Sequence, residues 1–131
     1  MTNQKILEAC RRAYSDFDNN DRGALAPYLS PDIVFDFPTS LPYGGTYRGL
    51  DEFQQYWTNL FENYFDSFTY DAHFILDAGS HVIVPVRAKA SSKSGRQGEM
   101  ENCILFTTVG GMITHARIYA DTAVGRDLIA P

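Results

Sequence analysis

Basic charge is scarce in this sequence: 11 lysines and arginines face 16 aspartates and glutamates, leaving a net charge of -5. Arg11-Arg12 is the one place where two basic residues adjoin, so neither a nucleic acid nor an anionic membrane is expected as a partner. Cysteine is nearly absent. Cys10 and Cys103 stand far apart within apolar patterns and lack ligand-type spacing, which favours two reduced, buried thiols over a disulfide or a zinc site. The histidines at 73, 81 and 115 form no His-x-His or His-Glu-x-x-His pattern, and no metal is expected. Gly44-Gly45 is followed by no Lys-Ser/Thr, so it reads as a turn and not as a phosphate loop. No apolar run approaches the roughly 18 residues of a membrane span. Polar Thr2, Asn3, Gln4 and Lys5 lead into no apolar signal core, and a cytoplasmic location is expected. No repeat or low-complexity tract interrupts the chain.

What the chain does have is apolar and aromatic weight. Hydrophobic residues make up 44% and aromatics 14% of 131 residues, enough for one domain over residues 1–131 that buries a core without metal or disulfide. Residues 99–121 read as two long strands joined at Gly110-Gly111, because Met100, Asn102, Ile104 and Phe106 alternate with Glu101, Cys103, Leu105 and Thr107. Thr114, Ala116, Ile118 and Ala120 then alternate with His115, Arg117, Tyr119 and Asp121. Upstream, Ile6, Cys10, Ala13 and Phe17 recur at helical spacing over 3–17. Asp21 is placed to cap a short second helix that ends at Pro31. Ile33-Val34-Phe35-Asp36-Phe37 is β-rich up to Pro38. Residues 39–49 form a loop, too apolar at Leu41, Tyr43 and Tyr47 to be a solvated linker, and are expected to fold over something as a flap. Asp51 is expected to cap a helix whose Phe53, Tyr56, Trp57, Leu60, Phe61 and Tyr64 keep helical spacing without a gap. Strand patterns follow over 68–76 and 82–90, the second carrying Val84, Val86, Ala88 and Ala90 on one side. Three helices first and a strand meander afterwards predict an α+β domain whose mostly antiparallel sheet curls around the helices, with room for a ligand inside.

Four stretches carry a family likeness: the Asn19-Asn20-Asp21 turn, the flap at 38–49 (PTSLPYGGTYRG), Glu101-Asn102, and residues 111–122 (GMITHARIYADT). With them the chain resembles the nuclear transport factor 2-like superfamily and, within it, the SnoaL-like and ketosteroid-isomerase-like proteins, over nearly its whole length. The resemblance implies a cone-shaped fold, a pocket between curved sheet and helices, and a dimer through the outer sheet face. It implies no single reaction. Asp36 looks like the general-base aspartate of ketosteroid isomerases, whose oxyanion tyrosine falls nearest Ala13, one residue from Tyr14. Their protonated aspartate falls between Asn102 and Leu105, where only Asn102 is polar. The Arg-x-Asp pair of the similar limonene epoxide hydrolases would fall around residues 86–89, which hold no acid, and their second aspartate near Ile118. The likeness to SnoaL-like cyclases brings Asp121 into consideration as a catalytic residue, although the strand alternation turns it away from the pocket face, toward Arg117 or Arg126.

The candidate catalytic set is therefore Asp36, Tyr14, Asn102 and Asp121. Burial beside Val34 would raise the Asp36 pKa toward neutrality and make it a base for a proton next to a carbonyl. Tyr14 or Asn102 would steady the oxyanion, while the plainer reading of each is a packed or paired structural residue. Val34, Tyr43, Phe53, Trp57, Val86, Ala88, Phe106, Ala116 and Ile118 are expected to touch the substrate. The expected function is that of a cofactor-free isomerase or cyclase acting on a hydrophobic carbonyl compound. The alternative is a non-catalytic binding or accessory domain that uses the same pocket. A homodimer is expected because Ile83, Pro85, Cys103, Leu105 and Tyr119 would otherwise form an exposed apolar patch.

Overall fold

Gly110 and Gly111 both hold positive φ, 59° and 79°, the backbone that a two-residue hairpin turn needs to match strand twist. They join the strand Gln97–Val109 to the strand Met112–Tyr119 in a computed structural model that describes residues 3–131. In chain order the strands are β1 (Leu29–Phe37), β2 (Gly45–Arg48), β3 (Phe65–Ala72), β4 (Leu76–Asp77), β5 (His81–Ser92), β6 (Gln97–Val109) and β7 (Met112–Tyr119). The sheet runs β2-β1-β7-β6-β5-β3, with β4 paired to β5, so the expected central hairpin lies in the middle of the sheet. All pairings are antiparallel except β1 with β7, which is parallel.

The helices α1 (Gln4–Tyr14), α2 (Gly49–Asn63) and α3 (Thr122–Ile129), with a 3₁₀ turn over Arg22–Tyr28, complete the α+β fold. The sheet is curved, and its concave face meets α1, α2 and the 3₁₀ turn around one apolar cluster that includes Ile6, Cys10, Ile33, Phe35, Tyr56, Leu60, Val84 and Ile113. The loop between α1 and the 3₁₀ turn guards the β3 edge. Asn20 accepts from the Tyr70 N–H at 2.6 Å and donates to the Tyr70 carbonyl at 2.8 Å, so a side-chain amide substitutes for a neighbouring strand along β3.

The structure corrects several local expectations. Asp21 makes no side-chain cap bond, and the short second helix is 3₁₀ with Pro27 inside it. Arg48, not Asp51, precedes α2, and Glu52 reaches back to accept the Arg48 N–H at 2.9 Å. The N-cap N–H is thus satisfied as in a capping box, but from one position further along the helix. Cys103 is only half-buried, on the outer face, whereas Cys10 is buried; both are free. A fourth helical segment, α3, follows the last strand, and Asp121 is its N-cap, accepting from the Val124 N–H at 3.3 Å.

Candidate functional site

A cavity of about 440 Å³ lies between the concave face of the sheet and the helices. The floor is built by alternation. Ile33, Phe35 and Phe37 of β1, Ala116 and Ile118 of β7, and Ile104 and Phe106 of β6 all point inward. The roof comes from Ala13 and Tyr14 of α1, from Arg22, Leu25 and Ala26 of the 3₁₀ turn, and from Leu50, Phe53, Gln54 and Trp57 of α2. Small Ala116, paired with Phe106 across the hairpin, leaves space where a larger side chain would close the core. The polar groups in this wall are few: Tyr14, Tyr70, Gln54 and Arg22. Tyr14 meets Tyr70 edge-on at 5.3 Å, and burial raises the pKa of both hydroxyls, so they remain O–H donors.

Asp36 is not in this wall, and its expected place there is corrected. With a period of two, a strand that turns Ile33, Phe35 and Phe37 to the core turns Val34 and Asp36 to the opposite face. On that outer face Thr46 Oγ1 donates to Asp36 Oδ1 at 2.6 Å, while His115 Nε2 and an Arg117 guanidinium nitrogen lie 2.6 and 3.1 Å from Oδ2. The hydrogen bond from Thr46 is the largest influence on the carboxyl pKa. With His115 and Arg117 it outweighs the opposing effect of burial, so the pKa is lowered and not raised. A carboxylate held ionised by three partners is a poor general base. His73 sits likewise 2.7 Å from Glu101, whose other oxygen meets Arg87 at 3.0 Å.

The family model of the SnoaL-like domain matches residues 10–116. The chain belongs to this family. An uncharacterized protein of Mycobacterium tuberculosis is 25% identical over 124 residues, 94% of this chain and 95% of that protein. The fold matches an NTF2-like protein from Burkholderia pseudomallei with a TM-score of 0.86 at 21% identity, over 100% of both chains. A candidate SnoaL-like polyketide cyclase from Jannaschia matches with a TM-score of 0.76 at 21% identity, over 99% of this chain and 94% of that one. At such identities the likeness establishes the fold alone.

Within this SnoaL-like fold the remaining candidates divide by position. Tyr14, Phe53, Trp57, Phe106, Ala116 and Ile118 lie together on the cavity wall. Val86 and Ala88 are on the concave side of β5 but fully buried, outside the cavity. Asn102, expected to face the ligand, is spoken for structurally: its Oδ1 accepts the Asp121 N–H at 3.0 Å and ties β6 to the start of α3. Asp121 caps that helix and does not line the cavity. Tyr43 is buried among Phe37, Tyr64 and Phe65 and anchors the flap. Arg22, Gln54 and Tyr70 were not anticipated, because each reaches the cavity from a different element and no local spacing in the sequence joins them.

Proposed function

We propose that this SnoaL-like domain, spanning residues 1–131, binds a small, mainly hydrophobic molecule in the cavity beneath α1 and α2, and that Asp36 takes no part. The observation that carries this reading is the cavity itself: about 440 Å³ of mostly aromatic and aliphatic wall, a volume and lining typical of small-molecule sites. Its walls hold no carboxylate, histidine or lysine among the described residues, so the proton acceptor that an isomerase or aldol-type cyclase needs is missing from them. Tyr14 supplies half of such a site, a buried hydroxyl able to donate to a carbonyl oxygen. The non-catalytic alternative is thereby favoured over the general-base reading.

A second copy of the chain is the proposed protein partner. Ile83, Pro85, Cys103 and Leu105 are half-buried on the outer face, and Tyr119 is 54% exposed there. The carboxylate clusters of Asp36 and Glu101 lie on that same face.

Titration with 2-acetylnaphthalene, an apolar ketone, tests the pocket. Trp57 is the sole tryptophan and lines the cavity, so saturable binding should change its fluorescence. Ala116→Leu, which fills the cavity floor, should weaken binding about tenfold or more. Asp36→Asn should bind as the parent does. Absence of saturable binding would sink the pocket reading, and loss of binding in Asp36→Asn would return Asp36 to the site.

A further inference from the structure

Arg22 is the one charged side chain on the cavity wall among the described residues. The 3₁₀ turn places it at the mouth, and as a whole residue it is exposed to solvent. Its guanidinium is nonetheless fixed. The carbon at its centre lies 4.7 Å from the Phe61 ring centroid and 5.4 Å from that of Trp57, and one nitrogen donates to the Phe68 carbonyl of β3. Stacking on two rings and one hydrogen bond restrict the group to a single orientation. Among the described residues no carboxylate pairs with it. The groups that act on its charge are the Tyr70 and Tyr14 hydroxyls, and burial against the rings lowers its pKa. An arginine carries five N–H donors, so most of its fork is left for something else.

We infer that the cavity selects ligands with a flat apolar body and one carboxylate or similarly anionic oxygen group, the anion held by the Arg22 guanidinium beside the Tyr14 hydroxyl. The inference rests on the reading of the cavity as a binding site and adds the chemical class. An anion here would complete the pairing that a partly desolvated guanidinium lacks, and a planar carboxylate matches its fork with two parallel bonds. The aromatic wall of Phe35, Phe53, Trp57 and Phe106 favours a conjugated or aromatic body over a flexible chain. A neutral ligand of the same shape would keep the wall contacts and forgo the ion pair.

Calorimetric titration of 2-naphthoate against its near-isostere 2-acetylnaphthalene separates these contributions. The carboxylate should bind about tenfold or more tightly than the ketone in the parent protein. Arg22→Gln, which keeps a polar head and loses the charge, should remove that preference, and Arg22→Lys should retain part of it. Thermal unfolding of each variant confirms that the fold is intact. Equal affinity of the two probes in the parent, or a preference that survives Arg22→Gln, overturns the inference while the pocket reading stands. Binding of neither probe overturns both.

Discussion

Three donors converge on the Asp36 carboxylate, and its pKa lies below the ordinary value of 3.8 in the folded chain. A carboxyl whose folded pKa is depressed adds stability that is fully present above the unfolded value and disappears as pH falls through the folded one. Asp36→Asn should therefore narrow the stability gap to the parent only on the acid side. In urea unfolding the gap should be largest near neutral pH and shrink from about pH 4 downward. A gap that keeps its size into that acid range would contradict the pairing with Thr46, His115 and Arg117. The same residue shows what was legible at this scale. The alternation of Ile33, Phe35 and Phe37 already points to the face that is buried, and the likeness to an isomerase aspartate points the other way. Three large apolar side chains outweigh one carboxylate in choosing which face meets the core. Asn102 was legible as an amide needing a partner inside an apolar stripe. That the partner is the Asp121 N–H depends on a helix that the sequence pattern does not announce.

That helix, α3, is short and carries Thr122, Val124 and Gly125 in its first turns, residues of modest or poor helix propensity. Tertiary contacts hold it instead. Asp121 caps its start, Ser94 and Arg96 donate to the Leu128 and Asp127 carbonyls at its end, and Leu128 is buried. By contrast the body of α2 was legible, since its apolar residues from Phe53 to Phe61 keep helical spacing with no tertiary help, although its start at Gly49 and its cap at Arg48 were not. The flap lies between these cases. Its apolar content foretold a packed loop over 39–49, but Gly45–Arg48 is the strand β2 against β1, and the part ahead of it is seated through two consecutive turns, Leu41 N–H to Pro38 carbonyl at 3.2 Å and Gly44 N–H to Leu41 carbonyl at 2.8 Å. Gly44 is the tightest point: a Cβ there would lie 1.7 Å from the Pro38 carbonyl oxygen. Backbone, not a movable side chain, blocks the way. Gly44→Ala should thus destabilise the protein by about 3 kcal/mol or more, read as a lower urea midpoint with an unchanged slope. A midpoint within error of the parent would mean that the flap does not pack as described.

Across the whole molecule the two faces of the sheet divide the work. The concave face of β6 and β7 sends Ile104, Phe106, Ala116 and Ile118 to the cavity, so the residues that alternate with them along the two strands face out: Cys103, Leu105, His115, Arg117 and Tyr119. Among the described residues no helix covers this convex side. Leu76, paired with Ile83 at the β4–β5 edge, is 48% exposed. Exposed apolar groups gathered on one sheet face, rimmed by the Asp36–His115–Arg117 and Glu101–His73–Arg87 clusters, suit a self-complementary contact about a two-fold axis. Apolar centres would then meet apolar centres, and each rim would keep its charges paired within its own copy, so no unpaired charge is buried. Leu105 lies in the middle strand pair of that face and is half-buried in the single chain. Leu105→Glu should leave the fold intact, because the side chain points away from the core, but it would place two like charges near the axis in the assembled pair. Sedimentation equilibrium at micromolar concentration should give twice 14.7 kDa for the parent and a single copy for Leu105→Glu, with matching circular dichroism. A parent that sediments as one copy removes the second chain as partner. A variant that remains paired would move the contact off β6 to another part of the surface.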